Sequence, residues 1–351
     1  MSTEAGIAPF SEDRAESIRM VRDSAAGIAD GVARARALRF SLPGFSADVW
    51  RQMGGLGWIG LAVPEAAGGS GLGVAEMCAL SEELGRSLVP EPLIGAALSA
   101  ALLAAAGEAE ILPRLLAGEA VVLTAWQDRA NTLTPCTDPS ATRRFIAMGA
   151  GATHFLLPVG DQLQLVEAGA CEATHELTHD GGHLTTLRVP AGRAVGKAEI
   201  LPALDRAALA TAAYLLGGME ATFALTLDYL RTRQQFGKII GTFQALQHRA
   251  ADTKLHIALC RAAVEQAAAA LDAGAGADEG AAMVSRAKAR ASEAAMLVGQ
   301  ACVQLCGGVG YTDDYDVGLY LRKAMVLAPA YGGAALHRAR FMALSPEAED
   351  A

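Results

Sequence analysis

The spacing of apolar residues along the chain divides it into three segments. Over residues 12–116 apolar positions recur at helical intervals, and prolines divide this segment into several helices. Over residues 121–198 the pattern changes to short β-rich runs separated by Gly, Asp and Pro. Helical spacing then returns in long Ala- and Leu-rich stretches at about 205–232, 243–273 and 279–306. Helices of that length favour an antiparallel bundle, and Asp205 is expected to be the N-cap of the first one.

These segments predict an N-terminal helical domain (1–119), a reduced β domain (120–198) and a C-terminal helical bundle (199–351). The predicted fold class is therefore mainly α with a central β domain. Within the β domain, strands are expected at about 121–124, 154–159, 162–166 and 184–189. Apolar residues form 52% of the chain but aromatic residues only 5%, and this surplus of Ala, Leu, Val and Gly suits closely packed helices better than packed sheets.

The charge and the cysteines argue against several classes of protein. With a formal net charge of −9, the chain offers polyanions no overall attraction, which argues against a nucleic-acid-binding protein. The polar, acidic stretch 1–15 lacks the pattern of a signal peptide, and the longest apolar run, 94–106, is shorter than the roughly 20 residues that a membrane helix needs. The six cysteines form no CxxC pair. We therefore expect a cytoplasmic protein that does not bind membranes.

Two patterns that could suggest a cofactor or a metal are better explained structurally. The glycine-rich run 68–73 follows no predicted strand, and a GxGxxG motif starting at its second glycine would need glycine where Val74 stands, so we predict a turn between helices. Histidines recur at every fourth position in His175, His179 and His183. The residues around Asp180 predict a turn, in which this spacing does not converge on a metal ion. We expect solvated loop histidines and no metal site.

A cationic bend joins the first two predicted helices of the bundle. Residues 229–252 contain four cationic side chains, among them Arg233, at a bend that includes Gly237. Such a cluster is costly to bury and needs either an anionic ligand, for example a pyrophosphate, or open solvent. Phe236 and Phe243 among these polar groups favour a ligand with a flat part. From the residues alone, a ligand site and a solvated loop remain equal alternatives.

A second cluster, 304–315, combines Gln304 with Gly307, Gly308 and Gly310. It follows a predicted helix and not a strand, which argues against a Rossmann phosphate loop. A left-handed helix cap explains Gly307 or Gly308. The combination of three glycines with a glutamine is better explained by a close approach of the backbone to a ligand.

Together these stretches resemble the acyl-CoA dehydrogenase family over nearly the whole chain. The bend, with Arg233 to Gly237, Phe243-Gln244, His248 and Asp252, resembles the flavin-contacting helix pair of that family. Residues 304–312 resemble its second flavin loop, and 57–65, 68–73 and 82–85 are similar to its N-terminal domain. The resemblance implies the family's fold, with a C-terminal four-helix bundle and FAD held between two subunits. The FAD contacts that it implies are Arg233, Gln235, Phe236, Phe243, Gln244, Gln304, Cys306, Gly307 and Gly308.

The same resemblance indicates that a catalytic group is missing. In the family a carboxylate removes the α-proton of the acyl thioester while the β-hydrogen leaves as a hydride to the flavin. The commoner position of this base falls on Tyr331 or Gly332, and the other position falls on Ala207, so neither is an acid. Asp205 is the nearest acid to the second position, but two residues turn it by about 200° around a helix, and we favour the capping role.

These features favour a subunit of a heteromeric enzyme. The chain keeps the residues that reach across the family's interface and lacks those that serve its own flavin. It thereby resembles the smaller subunit of heteromeric acyl-CoA dehydrogenases that degrade steroid side chains and related bulky acyl thioesters in bacteria. We expect an FAD-dependent oxidoreductase acting on CH–CH bonds, which introduces an α,β-double bond into an acyl-CoA.

The expected partners are a homologous base-bearing subunit in an α2β2 heterotetramer, the acyl-CoA substrate, and an electron-transfer flavoprotein as electron acceptor. Two alternatives stay open: a self-sufficient homomeric dehydrogenase that uses Asp205 or another acid as its base, and a flavin-free structural homologue. The sequence does not identify the acyl group.

Overall fold

The structure is a computed structural model that describes residues 12–27 and 31–345. The N-terminal helices are α1 (Glu12–Ala26), α2 (Gly31–Leu38), α3 (Ala47–Gly55), α4 (Val74–Arg86), α5 (Leu93–Ala105) and α6 (Ile111–Leu116). The central strands are β1 (Val122–Thr124), β2 (Arg143–Ala147), β3 (His154–Val159), β4 (Gln162–Glu167), β5 (Glu172–Leu177), β6 (His183–Arg188) and β7 (Arg193–Gly196). The C-terminal part contains α7 (Ile200–Thr232), β8 (Gln234–Gln235), β9 (Lys238–Ile239), α8 (Gln244–Asp272), α9 (Ala277–Cys306), α10 (Gly308–Tyr311), α11 (Val317–Leu327) and α12 (Ala334–Leu344). This order confirms the predicted mainly α fold with a central β part.

The central strands form one sheet in the order β1-β3-β4-β7 and another in the order β2-β6-β5. β1 pairs with β3 in parallel, and the other pairs within these sheets are antiparallel. The predicted strands correspond to β1, β3, β4 and β6, whereas β2, β5 and β7 were missed. β5 is exposed along its whole length, so its sequence carries no alternation of apolar and polar residues. β2 contains a register shift at which Phe145 adopts a positive φ of 62°.

The prediction that Asp205 caps the first bundle helix is wrong. α7 begins at Ile200, and Glu199 occupies its N-cap position without a side-chain hydrogen bond. Pro202 lies in the first turn, where a residue without a backbone N–H is tolerated because those N–H groups have no partner within the helix. The helix therefore starts five residues earlier than the apolar pattern indicated, and Asp205 lies inside it.

The bundle is built from α7, α8, α9 and α11, and α12 packs on α9. α7 crosses α4 at close range, because a Cβ on Gly217 would overlap the carbonyl oxygen of Glu82 and one on Gly85 would overlap that of Tyr214. By length and hydropathy α7 could also cross a membrane, but 72% of its most apolar window is buried inside the protein. It is therefore packed as the central helix of the bundle.

The turn predicted at 68–73 is confirmed, and its last glycine has a packing role. A Cβ on Gly73 would overlap the guanidinium of Arg14 and approach Asp272 at 2.8 Å. Asp272, at the end of α8, accepts hydrogen bonds from the backbone N–H groups of Val74 (2.7 Å) and Ala75 (2.9 Å). A carboxylate that is distant in sequence thus caps α4, and this cap ties the N-terminal helices to the bundle.

The histidines of the β part do not behave alike. His179 lies in the predicted turn and is exposed, and His175 is exposed on β5. His183 on β6 is only 2% exposed, and its Nε2 accepts a hydrogen bond of 2.9 Å from the backbone N–H of Ala150. The expectation of a solvated loop histidine is therefore wrong for His183, because the strand turns its ring into the protein. The described residues contain no cluster of three or more potential metal ligands.

Candidate functional site

The two stretches singled out in the sequence lie at one end of the bundle. Because α7, α8 and α9 alternate in direction, the end of α7, the start of α8 and the end of α9 meet there. Cys306 Sγ lies 3.8 Å from Thr226 Oγ1 on α7. The Tyr315 hydroxyl donates to the Leu225 carbonyl at 3.0 Å, and the rings of Tyr315 and Tyr229 are 5.9 Å apart. The segment that follows α9 is therefore packed beside the last turns of α7.

The bend between α7 and α8 is a short hairpin that presents an aromatic ring to solvent. β8 and β9 pair through Gln234 with Ile239 and Gln235 with Lys238. The turn residues Phe236 and Gly237 both have positive φ, at 54° and 77°, as the preferred two-residue hairpin turns require. Phe236 is 88% exposed. An exposed apolar ring held in this way is available for contact with a partner.

Behind this ring lies a second aromatic group with a cation above it. The rings of Phe236 and Phe243 meet edge to face at 6.2 Å. Lys238 Nζ lies 4.1 Å from the centroid of the Phe243 ring. The aromatic pair and the ammonium group together match a ligand with a flat part and a negative charge.

Arg233 ends α7, and its side chain is exposed. Its guanidinium forms no ion pair with any described residue, whereas Arg231 pairs with Asp228 at 3.4 Å. Gln235 on β8 and Gln244, the first residue of α8, are also exposed. An unpaired guanidinium, two amides and the N-terminus of a 29-residue helix form a group of donors suited to phosphate.

The end of α9 supplies backbone groups to the same end of the bundle. Gln304 is exposed in the last turn, whereas the Cys306 side chain is 3% exposed and points into the bundle, so Cys306 could reach a ligand only through its backbone. Gly307 has φ 66° and ψ −145°, a conformation that residues with a Cβ rarely adopt. A Cβ on Gly308 would meet no atom of this chain within 4 Å. The chain therefore gives no packing reason for Gly308, but a ligand that approaches its backbone would give one.

The group that the resemblance implies here is FAD, and these residues fit it. Arg233, Gln244 and the start of α8 suit the pyrophosphate, Phe236 and Phe243 suit a flat ring, and Gly308 leaves room at the backbone. All these groups face away from this chain's own core. They suit a cofactor shared with a second subunit better than one enclosed by a single chain.

The chain also has a large internal cavity of about 420 Å³ between α5, the sheet β2-β6-β5, α7 and α11. Most of its wall is apolar. On one side the rings of Trp126 and Tyr331 stack at 6.4 Å with an angle of 11° between their planes. Among the described residues that line the cavity, two are acidic, Glu91 and Asp180.

Both cavity acids are engaged in ion pairs. Glu91 is bound by both terminal nitrogens of Arg34, one of them at 3.0 Å, and its side chain is not exposed. Asp180 pairs with Lys323 and accepts hydrogen bonds from Thr178 and from the backbone of Gly182. Although burial opposes the change, the Lys323 ammonium lowers the pKa of Asp180. With its pKa lowered, Asp180 is a poor acceptor for an α-proton, because catalysis requires a base whose pKa lies closer to the working pH. Both carboxylate oxygens of Glu91 are occupied by Arg34.

The segment in which the family resemblance places the base is held in a different way. Tyr331 is half-buried, and burial of its phenol raises the pKa of that group, so it cannot serve as a carboxylate-like base. His337 Nε2 donates to the Tyr331 carbonyl at 2.8 Å. Gly332 has φ 96°, and a Cβ there would lie 2.8 Å from His337 Nε2. A glutamate at position 332 is therefore incompatible with this turn.

A fully buried lysine fastens the same segment. Lys288 on α9 donates to the carbonyls of Ala328 (2.8 Å) and Gly332 (3.0 Å) and to Ser292 Oγ (2.9 Å). Burial lowers the pKa of Lys288 to about 7. Sequence reasoning missed this residue, although a cation followed by serine four residues later on an alanine-rich helix face is a signal of a buried, hydrogen-bonded lysine.

The second family position for the base, Ala207, does not border the large cavity. It lines a separate cavity of about 40 Å³ between α4, α5 and α7. Asp205 does not line either cavity, and both of its carboxylate oxygens are bound by Arg340 of α12, one of them at 2.9 Å. The structure thus gives Asp205 a role in fastening α12 to α7.

Replacing Asp205 with asparagine should lower stability without lowering turnover. The amide keeps the size of the side chain but loses the ion pair, which is partly buried, so the free energy of unfolding should fall by about 1–3 kcal/mol. Urea denaturation measures this change, and Asp228→Asn, at an exposed ion pair, is the matched control. A fall in turnover of about a hundredfold or more with intact assembly would instead identify Asp205 as the base.

Comparison with known proteins gives a consistent result. Residues 15–119 match the acyl-CoA dehydrogenase N-terminal domain, and residues 196–343 match the acyl-CoA dehydrogenase C-terminal domain. Over 97% of its length the chain is 31% identical to acyl-CoA dehydrogenase FadE34 of Mycobacterium tuberculosis, and it spans about half (49%) of that protein's length. A variant of the Tcur3481-Tcur3483 steroid ACAD superposes with a TM-score of 0.83 and 32% identity, covering 96% of this chain and 98% of that chain. The ChsE4-ChsE5 complex from Mycobacterium tuberculosis gives a TM-score of 0.83 and 26% identity, covering 97% and 99%.

Proposed function

Because the chain belongs to the acyl-CoA dehydrogenase family, a family of FAD-dependent oxidoreductases, we propose that it is the non-catalytic subunit of a heteromeric acyl-CoA dehydrogenase. Its bundle end completes the FAD site of a homologous partner, and the partner supplies the base. The reaction introduces an α,β-double bond into an acyl-CoA thioester. One contrast carries this proposal: both acids of the chain's own cavity are bound in ion pairs, while Arg233 at the bundle end has no ion pair with any described residue.

In this reaction FAD, when bound, accepts the hydride from the β-carbon. The residues of this chain would bind and orient the FAD. Arg233 and the N–H groups at the start of α8 would bind the phosphates, and Phe236 with Phe243 would contact a flat ring. The backbone at Gly307 and Gly308 would allow the FAD to approach it closely. No residue of this chain would move the α-proton, which is the task of the partner's base.

The surface next to this site supports a partner chain. Leu255 and Leu259 on α8 are 58% and 48% exposed, and Leu297 on the neighbouring helix α9 is 48% exposed. Exposed leucines on two packed helices of the bundle that also exposes Phe236 are typical of a protein interface. A surface of this kind supports assembly through the bundle.

The names of two structural relatives support the finer parts of the proposal. The Tcur3481-Tcur3483 protein is a steroid ACAD, and ChsE4-ChsE5 is a complex. By analogy we propose an α2β2 heterotetramer, a bulky acyl group such as a steroid side chain, an electron-transfer flavoprotein as acceptor, and a cytoplasmic location.

The number of FAD molecules per chain tests the proposal. The chain should be produced alone and together with a homologous base-bearing chain, and FAD should be measured by absorbance after gel filtration. Alone, the chain should hold little FAD and oxidise no acyl-CoA. With the partner it should form a complex with about one FAD per two chains, because each unlike pair contains one complete site.

Two outcomes would overturn the proposal. A yellow homomer with one FAD per chain and dehydrogenase activity would identify a self-sufficient enzyme. If the partner alone binds FAD as well as the complex does, this chain is a flavin-free structural homologue.

A further inference from the structure

Past the second glycine cluster, one aspartate is held by several arginines. In the described part of the chain, Asp313 is bound by Arg39, Arg322 and Arg36. Arg39 donates to both carboxylate oxygens at 2.9 and 2.5 Å, and Arg322 donates at 2.7 Å. Arg36 contacts the Asp313 carbonyl and also bonds Asp316 at 2.6 Å. This group of side chains is called the Asp313 clamp below.

The Asp313 clamp joins distant parts of the chain. Arg36 and Arg39 lie in and just after α2, whereas Arg322 lies on α11. The end of α2 is itself fixed to the β5–β6 turn, because the backbone N–H of Phe40 donates to the Gly181 carbonyl at 2.7 Å. The clamp therefore fastens the segment after α10 to a frame made by all three parts of the molecule.

The Asp313 clamp places more arginines on one carboxylate than an exposed position requires. The Asp313 side chain is 58% exposed, and isolated ion pairs at such positions contribute little to stability. The hydrogen bond from Arg39, together with the charges of Arg39, Arg322 and Arg36, nevertheless lowers the pKa of Asp313 to about 2. The neighbouring Asp314 is exposed and forms no ion pair with any described residue. Three arginines therefore converge on Asp313, one of which also binds Asp316, whereas Asp314 has no ion pair with a described residue.

The segment that the clamp holds contains little regular structure of its own. α10 is a single turn of four residues, and Tyr311 at its end is 85% exposed. Apart from the clamp, Tyr315 fastens the segment to α7 through Leu225 and Tyr229, and Val309 and Gly310 pack against the bundle at the end of α9. A short turn between Gly307 and these anchors takes its position from them, because its own helical hydrogen bonds are too few to order it.

We propose that Asp313 is a positioning residue that holds the segment 307–316 so that the backbone at Gly307 and Gly308 is presented to the partner's FAD. This inference rests on the proposed function. It adds that helix α2, which lies outside the bundle, sets the position of the segment 307–316.

The test compares Asp313→Asn with Asp314→Asn in the assembled complex. Each change removes one negative charge from the same exposed segment, but only the first breaks the clamp. In Asp313→Asn, amide hydrogen exchange over 307–316 should rise about tenfold, because the segment opens more often, and the FAD dissociation constant should rise about five- to tenfold. Asp314→Asn should leave both measurements unchanged. Circular dichroism checks that both variants are folded.

Arg39→Gln breaks the same ion pair from the side of the cation. It should reproduce the Asp313→Asn effect, and the double variant should add little, because residues that act through one contact are not additive. Equal exchange and equal FAD binding in Asp313→Asn and Asp314→Asn would overturn the positioning role. If Asp313→Asn raises the exchange but FAD binding responds neither to it nor to Arg233→Ala, the proposed function fails and so does the inference. If only Arg233→Ala weakens FAD binding, the positioning role alone is overturned.

Discussion

Replacing Arg233 with alanine should weaken the binding of FAD by the assembled complex about ten- to a hundredfold, since a charge-assisted hydrogen bond to phosphate contributes roughly 1.5–3 kcal/mol. The guanidinium is exposed at the end of α7 and has no ion pair with the described residues, so its loss leaves no carboxylate of this chain unpaired. The effect should therefore appear in cofactor affinity and not in the stability of the chain. Titration of the FAD-free complex, followed by flavin fluorescence, measures it.

The neighbouring arginine provides the control. Arg231 is 70% exposed and pairs with Asp228, and Arg231→Ala removes the same charge two residues away with little expected effect on FAD. Arg233→Lys should recover part of the affinity, because an ammonium retains the charge but not the planar fork of donors. Equal FAD affinity in Arg233→Ala and the unchanged complex would mean that the bend is a solvated loop.

The second large effect is expected at Glu82 of α4, whose carboxylate lies inside an ion-pair network between helices. Its side chain is 4% exposed and is bound by Arg22 of α1 (2.8 Å), Arg86 (2.7 Å) and Arg261 of α8 (2.6 Å). Burial opposes ionisation, but the hydrogen bonds from Arg22 and Arg261 outweigh it and lower the pKa of Glu82 to about 2. Relative to the ordinary value of 4.5, this shift corresponds to about 3 kcal/mol of stability at neutral pH.

Glu82→Gln should therefore lower the free energy of unfolding at pH 7 by about 3 kcal/mol, measured by urea denaturation of the full chain. Because the pKa is lower in the folded state, this contribution is complete above pH 4.5 and is lost as the pH falls towards 2. The difference between the wild type and the variant should shrink over that window. Asp48→Asn, at an exposed pair with Arg51, is the control and should change stability by less than about 1 kcal/mol. A difference that stays constant from pH 7 to pH 3 would contradict this account.

Most of the fold could be predicted from the sequence because local periodicity determined it. The long helices α7, α8 and α9 were predicted to within a few residues, since their Ala- and Leu-rich repeats must bury one face. The strands that failed were those whose burial depends on partners: exposed β5 has no alternation, and β2 is interrupted at Phe145. The N-terminus of α7 was misplaced because Asp205 is of a residue type that is favoured at N-caps. Only the tertiary contact with Arg340 distinguishes a cap from an ion pair at that position.

The residues of the candidate site also divide into those that the local sequence reveals and those that depend on distant partners. Arg233, Phe236 and Gly307 could be found because unusual residues in a bend or at a helix end are visible in the sequence. Lys288 and Asp313 were missed because decisive partners are distant in the chain: Gly332 lies 44 residues from Lys288, and Arg39 lies 274 residues from Asp313. The ionic state of an acid such as Asp180 likewise depends on Lys323, whose approach no local pattern reveals.

The left-handed turn at Gly332 opposes a carboxylate at one of the two positions in this segment where the family resemblance places the base. Restoring a carboxylate at that position by one substitution would place a Cβ against the His337 ring on a backbone with φ 96°. His337 and Lys288 in turn hold the carbonyls on either side of the turn, so the backbone cannot relax without breaking buried hydrogen bonds. A glutamate at position 332 therefore requires the turn itself to change. Under the proposed function, the turn at Gly332 keeps this part of the segment free of a carboxylate and leaves the base to the partner subunit.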